Sequence, residues 1–317
     1  MPQHQRPTKE EIIKAEQRIE GFVHETIILT SAKLNELAGA QLFFKAEHLQ
    51  KGGSFKVRGA TNAVQALSKD QIKNGVATHS SGNHAQALAI AAKTRNIPAY
   101  VVMPNNAPVV KVEAVKNYGA HIIFCVPTLA ARETTLNEVV REKEAVFIPP
   151  YNHMDIIAGQ ATMMKQFTEQ VPDMAAAFIP IGGGGLISGS LLAVHYFNSD
   201  VKIYGAEPKN ADDAYQSWKA NKLIPANNPD TIADGLKTSL GDLTFPIIAE
   251  GVEQIITVTE TEIIEAMKLI FIYLKQVVEP SAAVPLAALL KEKANFRGMK
   301  VGLILCGGNV DLKKLPF

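Results

Sequence analysis

The chain has 317 residues, enough for one large hydrophobic core or two medium ones. At 47% hydrophobic and 20% charged residues it is composed like a soluble globular protein, which argues against a disordered or fibrous chain. The 32 lysines and arginines nearly balance 31 acids, for a net charge of +1, so neither nucleic acid nor a membrane surface is indicated as a partner. The 2 cysteines have neither CxxC nor zinc-ligand spacing, which fits a reducing, cytoplasmic compartment.

Thr8 and Glu11 have capping-box spacing and predict a helix to about Glu20. The same polar, charged stretch does not read as a secretory leader. Residues 41–47 read as a strand and 58–67 as a helix. Residues 75–79 form a short strand, followed by a glycine turn and a helix over 83–95. A buried strand is expected at 99–103. Pro108 can open a helix at its first position and Gly119 can close it. Further strands are expected at 121–126, 145–148, 176–181, 202–207, 255–258 and 300–306. Thr259 and Glu262 form a second capping box, opening a helix to about Tyr273. Residues 221–230, rich in Asn and Pro, read as a surface loop. The uncharged stretch 175–197 is long enough to span a bilayer, but four consecutive glycines interrupt it. It therefore reads as a buried strand, a loop and a helix. Short apolar strands separated by helices indicate an α/β protein with open, twisted, mostly parallel sheets covered on both faces. There is no internal repeat and no low-complexity linker.

Five motifs can carry chemistry. In Ser54-Phe55-Lys56-Val57-Arg58-Gly59-Ala60, after Gly52-Gly53, a lysine stands between a glycine turn and an apolar helix start. In an apolar pocket its amine becomes neutral and nucleophilic. On this heptapeptide alone, a surface lysine at a helix start is an equal reading. In Ser80-Ser81-Gly82-Asn83-His84-Ala85, small residues precede a helix whose free N–H groups can take a carboxylate. A plain strand-to-helix turn capped by Asn83 is the simpler reading of that segment by itself. Ile181-Gly182-Gly183-Gly184-Gly185-Leu186 lies between a strand and a helix. Phosphate held by backbone N–H groups and the helix dipole accounts for the entropy lost in ordering four glycines. It is neither GxGxxG nor a Walker sequence, and a flexible turn is the competing account. Cys306-Gly307-Gly308-Asn309 ends the last strand, where open α/β sheets bind ligands. A buried cysteine acting as a small hydrophobe is the commoner fate. Finally, Glu207, Asp212 and Asp213 suit a hard cation, although by themselves they read better as acids facing a helix N-terminus.

Taken together, in this order and over nearly the whole chain, these motifs resemble the fold-type-II pyridoxal-phosphate family, and within it the serine racemases and the serine/threonine and threo-3-hydroxyaspartate dehydratases. The resemblance implies a tryptophan-synthase-β-like fold. It implies a large cofactor-binding domain from residues 1–74 and 153–317, with a small domain, 75–152, inserted in it. Lys56 would carry pyridoxal 5'-phosphate as a Schiff base, with Phe55 near the ring. Asn83 would bond the cofactor's phenolic oxygen, Gly182, Gly183, Gly184 and Gly185 would hold its phosphate, and Cys306 would lie against the pyridine nitrogen. Ser80, Ser81, Asn83 and His84 would receive the substrate carboxylate. Arg132 and Thr238 match substrate-side positions of the serine racemases. Glu207, Asp213 and the Ala211 carbonyl match a divalent-cation site for Mg²⁺, Ca²⁺ or Mn²⁺, which reverses the preference drawn from those residues alone.

The implied activity is ammonia loss from serine- or threonine-type β-hydroxy amino acids to give a 2-keto acid, with serine racemisation beside it, in a homodimer. A dedicated serine racemase or a threo-3-hydroxyaspartate dehydratase is the alternative, and a non-catalytic amino-acid sensor on the same scaffold is the rival from another class. Lys56 would take the Cα proton. Ser81 is either a second acid–base or a structural hydroxyl in the turn. With the chain ending shortly after Asp311, no C-terminal regulatory domain and no isoleucine feedback are expected.

Overall fold

A computed structural model describes residues 6–107, 109–197 and 199–317. Along the chain run α1 (Lys9–Ile19), β1 (Ile28–Leu29), α2 (Ala32–Ala38), β2 (Gln41–Lys45), α3 (Lys56–Ala66), β3 (Val76–His79), α4 (Asn83–Thr94), β4 (Ala99–Pro104), α5 (Val109–Asn117) and β5 (His121–Cys125). There follow α6 (Leu129–Lys143), β6 (Val146–Phe147), α7 (Met154–Gln170), β7 (Ala176–Pro180), α8 (Gly185–Tyr196), β8 (Lys202–Pro208), α9 (Asp213–Ala220), α10 (Thr244–Gly251), β9 (Gln254–Val258), α11 (Glu260–Leu269), α12 (Pro280–Lys291) and β10 (Lys300–Ile304).

Both expected capping boxes form. Thr8 Oγ1 accepts from Glu11 N at 3.2 Å, and Glu11 Oε2 accepts from Thr8 N at 2.7 Å. Thr259 and Glu262 repeat the exchange at 3.3 and 2.7 Å. Each satisfies two free donors of a first turn. The helix after Thr259 ends sooner than expected: α11 stops at Leu269, a π turn covers Ile270–Leu274, and Lys275 takes a left-handed φ of 58° that ends it. Pro108 lies outside the described residues, and α5 is described from Val109.

Among the described residues the strands form a six-stranded sheet in the order β1-β2-β10-β7-β8-β9 and a four-stranded sheet in the order β5-β4-β3-β6. Apart from the antiparallel β1–β2 pair, the ladders are parallel. Every residue of β7 is buried, as a strand covered on both faces requires. Phe178 on β7 stacks on Tyr204 of β8 at 5.2 Å and meets the edge of Phe296 at 5.1 Å. Burying such a ring contributes about 2–3 kcal/mol. Helix α7 packs against α8, α3 and α1, while α12 crosses β7, β8 and β9. The uncharged stretch divides into β7, a glycine loop and the 12-residue α8. Among the described residues no helix is long and apolar enough to cross a membrane.

Under α3 lies a buried ionic cluster. Arg58 pairs with Glu47 through Nε–Oε2 and Nη2–Oε1, both 2.8 Å, with both side chains removed from solvent. Thr26 Oγ1 donates to Glu47 Oε1 at 2.5 Å. Lys45 Nζ donates to the Thr26 carbonyl, Gln166 Oε1 and Gln170 Oε1 at 2.9, 2.6 and 2.8 Å. Because Arg58 is two residues beyond Lys56 on the same helix, this cluster fixes the helix start from which Lys56 projects. In a parallel sheet the loops after the strands share one edge. The segments leading from β2 to α3, β7 to α8 and β8 to α9, and out of β10, therefore gather at one edge of the large sheet.

Candidate active site

Lys56 is the first residue of α3 and follows Phe55, whose N–H donates to the Cys306 carbonyl at 3.1 Å. Gly308 N in turn donates to Gly53 O at 2.9 Å, and Ser54 bridges to Gly307. The lysine turn is thus stitched to the end of β10. Lys56 Nζ donates to the Pro150 carbonyl at 2.9 Å and lies 5.1 Å from the centroid of the Phe55 ring. The residue is half-buried, and burial of its amine lowers the pKa from 10.5 to about 8, against the opposing pull of Cys306 and Glu279. That shift disfavours the ammonium by about 3 kcal/mol. Near pH 7 roughly one such amine in ten is neutral, against fewer than one in a thousand for an ordinary lysine. Cys306 is buried, and burial, followed by the neighbouring Glu279, holds its thiol well above its ordinary pKa and therefore neutral.

The four glycines form a close-walled cradle at the N-terminus of α8. A Cβ on Gly182 would lie 2.9 Å from the Gly235 carbonyl and 3.3 Å from Thr238 Oγ1. On Gly183 it would enter the Tyr151 ring, and on Gly184 it would lie 2.8 Å from Ile248 and Thr244. On Gly185 it would press on Tyr151 Cβ at 3.0 Å. Gly184 has a left-handed φ of 87°, and Thr244 Oγ1 donates to the Gly183 carbonyl at 2.9 Å. No larger side chain fits, and the first N–H groups of α8 have no partner within the helix. This arrangement suits a phosphate.

In the turn between β3 and α4, Ser80 Oγ accepts from Gly82 N at 3.3 Å, and Ser81 is half-buried. A Cβ on Gly82 would meet nothing within 4 Å, so the turn faces open space. Asn83 opens α4. Its Nδ2 donates to both carboxylate oxygens of Glu279 at 3.0 Å, and its Oδ1 accepts from Asn309 Nδ2 at 2.9 Å. His84 is turned inward. Its Nε2 is 3.0 Å from the Ile148 carbonyl, and burial, then Lys56, lowers its pKa to about 3, so it stays neutral. What His84 can offer at the turn is its backbone N–H. Arg132, half-buried on α6, lies close enough to His79 at the end of β3 to help lower that ring's pKa, after burial. Thr238 is exposed beside Gly182.

Past β8, Glu207 accepts from Ala214 N at 3.1 Å and Tyr215 N at 2.9 Å. Asp213 Oδ2 accepts from Leu240 N at 3.1 Å, and its other oxygen, Oδ1, is buried without a partner. Burial raises the Asp213 pKa to about 6. Burial, together with the charge of Asp213, raises that of Glu207 well above normal. Two carboxylates strained in this way, one with an orphan oxygen, fit a divalent cation whose third ligand is a carbonyl such as that of Ala211.

Four features of the site lie outside the sequence reading. Glu279 is buried, stands at the N-cap position of α12 ahead of Pro280 without capping it through its side chain, and donates its N–H to the Gly307 carbonyl at 3.1 Å. The proline at the first helical position signals a helix start, but nothing local links it to Asn83, 196 positions earlier. The Pro150 carbonyl, the Tyr151 ring over the glycine cradle, and the Lys111–Asp234 ion pair joining α5 to the turn before Thr238 likewise had no local signal.

The family model described as pyridoxal-phosphate dependent enzyme matches residues 19–307. The chain is 49% identical over 311 residues to a beta-hydroxyaspartate dehydratase of Paracoccus denitrificans (strain Pd 1222), covering 98% of this chain and 99% of the relative. It is 48% identical over 309 residues to a serine racemase of Arabidopsis thaliana, covering 96% and 93%. The solved structure of maize serine racemase superimposes with a TM-score of 0.96 at 46% identity, covering 98% of this chain and 96% of that one.

Proposed function

The chain belongs to the pyridoxal-phosphate dependent enzymes, and from that premise we propose that it is an ammonia-lyase of β-hydroxy amino acids that also racemises serine. The lyase reaction gives a 2-keto acid and ammonia. The observation that carries this reading is the Lys56 amine, whose pKa burial lowers to about 8, together with the close-walled glycine cradle at the start of α8. An amino-acid sensor needs no such nucleophile. A dedicated threo-3-hydroxyaspartate dehydratase is the second reading, supported by the Paracoccus relative named a beta-hydroxyaspartate dehydratase.

Bound pyridoxal phosphate supplies an electron sink for negative charge at the substrate Cα. Lys56 would hold the cofactor covalently through Nζ, and the same Nζ, once free, would remove the Cα proton. Gly182–Gly185 and the N-terminus of α8 grip the phosphate. Phe55 would pack beside the ring, and Asn83 would donate to the phenolic oxygen. The Cys306 thiol, which burial keeps neutral, would be the partner of the ring nitrogen, and so weak a donor would leave that nitrogen largely unprotonated. In the Ser80–His84 turn, where Ser80 N and Gly82 N are already committed to Val102 O and Ser80 Oγ, the N–H groups of Ser81, Asn83 and His84 would take the substrate carboxylate, with Arg132 and Thr238 at its flanks. Racemisation needs a second acid–base, because a proton returned from the Lys56 side regenerates the starting enantiomer. The Ser81 hydroxyl fills that role. Closure of a small domain, 75–152, onto a large one, 1–74 and 153–317, excludes water from the reacting carbon.

Glu207, Asp213 and the Ala211 carbonyl would hold a divalent cation, Mg²⁺, Ca²⁺ or Mn²⁺, whose charge would relieve the two raised carboxylates and steady the loop before α9. The working assembly is a homodimer in the cytoplasm, where both free cysteines stay reduced. The exposed Phe271, Ile272 and Val277 provide it with an apolar face.

A panel of L- and D-serine, threonine and threo-3-hydroxyaspartate, scored for keto acid and for the opposite enantiomer, tests the assignment. Keto acid from at least one L-substrate is expected, together with D-serine from L-serine. Ser81→Ala is expected to lose D-serine formation and keep elimination. Equal effects on both reactions would remove its role.

A further inference from the structure

The carboxamide of Asn83 is held from two sides by protein groups. Asn309 Nδ2 donates to its oxygen at 2.9 Å and also to the Gly52 carbonyl at 2.8 Å. Glu279 takes its nitrogen with both carboxylate oxygens at 3.0 Å. An ionised carboxylate only accepts, so it decides which end of the amide is nitrogen. One N–H of Asn83 is thereby committed to Glu279, and one remains. Glu279 is itself fixed. It is 3% exposed, its own N–H donates to the Gly307 carbonyl at 3.1 Å, and its carboxylate abuts Gly307 so closely that a Cβ there would lie 2.6 Å from Oε1.

We propose that Glu279 is a positioning residue that acts through Asn83: its carboxylate fixes the amide so that the second N–H serves the cofactor's phenolic oxygen, and protonation of Glu279 loosens that grip. The inference rests on the reading of the site as a pyridoxal-phosphate site. It goes beyond that reading in assigning a proton-dependent step to a buried acid that acts through Asn83.

The surroundings make Glu279 titratable in the working range. Burial raises its pKa from 4.5 to about 7, opposed by the Asn83 hydrogen bond. The charged and titratable groups facing it come from four elements. Asp234, in the turn before Thr238, raises the pKa further, and Lys111 of α5, paired with Asp234, lowers it. Lys56 at the start of α3 and Cys306 at the end of β10 lie within electrostatic reach. From α12 itself the neighbours are Pro280 and Ser281, which carry no charge, and the Asn309 backbone helps lower the pKa of the carboxylate. Above about pH 7 Glu279 is an anion that accepts a charge-assisted bond. Below it, the bond from Asn83 becomes a weaker neutral one.

The test uses the holoenzyme and follows the visible absorption of the bound cofactor against pH, alongside kcat and KM for L-serine. Wild type is expected to show one spectral transition near pH 7, matched by a rise in kcat. Glu279→Gln keeps the volume and abolishes the charge. It is expected to flatten that transition, to keep the cofactor bound, and to lower kcat at about pH 8 by roughly tenfold with KM changed much less. Asn309→Ala, which frees the other end of the amide, is expected to shift the spectrum in the same direction. An unchanged midpoint and amplitude in E279Q would overturn the relay. If E279Q does not fold, wild type carries the test alone. The infrared band of a buried carboxylic acid should be lost near pH 7, and its absence throughout overturns the proposal. A wild-type protein with no visible cofactor band would sink the functional reading itself, whereas a normal band with an indifferent E279Q sinks only the relay.

Discussion

Gly183→Ala probes the cofactor cradle at its tightest wall. The added methyl enters the face of the Tyr151 ring, with three ring atoms well inside van der Waals contact. Either the ring or the loop must move, and the Gly183 carbonyl is already tied to Thr244 at 2.9 Å. Moving the loop turns its N–H groups off the phosphate. A hydrogen bond to a charged group is worth roughly 1.5–3 kcal/mol. Losing one weakens cofactor binding by about 10- to 100-fold. Titration of the apo-protein with pyridoxal phosphate, followed calorimetrically, measures this directly. Tyr151→Ala removes the obstacle, so the double variant should regain most of the affinity, with a coupling energy of about 1–2 kcal/mol. Wild-type affinity in Gly183→Ala, or no recovery in the double variant, would refute the assignment of this loop.

Arg58→Ala leaves Glu47 charged and unpaired beneath α3, and should destabilise the protein by about 3–5 kcal/mol in denaturant unfolding. Stability equal to wild type would mean that the cluster does not anchor the lysine helix. Glu279 has a pKa raised in the folded state, from 4.5 to about 7. Its contribution to stability is therefore fully present below pH 4.5 and lost as pH rises through 7, a change of about 3 kcal/mol. Glu279→Gln should remove that slope, which pH-dependent unfolding of both apo-proteins will show. Chelation should lower both activity and melting temperature, and Mg²⁺ or Mn²⁺ should restore them through Glu207 and Asp213. Indifference to chelator would dispose of the cation site.

The strands were legible because each is a short apolar run closed by Gly, Pro or a polar turn. Their ends shifted by a residue or two, most visibly at β6, which pairs only with β3 and keeps just Val146 and Phe147. The capping boxes were legible because their chemistry is local. Two-residue β1 carries no pattern and shows only as a partner of β2. The insertion of β10 between β2 and β7 is a long-range choice that no window of sequence contains. The site divides along the same line. Lys56 and the four glycines announce themselves because a lysine at a glycine turn and a run of glycines each carry an entropic or electrostatic penalty that needs a reason. Glu279 gave no such sign: before a proline it looks like any helix start, and its meaning comes from Asn83 on another element. His84 shows the reverse, since a residue inside a motif turns its ring away from the turn it belongs to.

The most direct test of the central claim compares wild type with Lys56→Ala, both incubated with pyridoxal phosphate and dialysed. Each is assayed for visible absorption and for keto acid from L-serine and L-threo-3-hydroxyaspartate. A coloured wild type that forms keto acid, beside a colourless variant that forms none above the buffer blank, is the predicted result. A colourless Lys56→Ala protein that deaminates either substrate at the wild-type rate would contradict it.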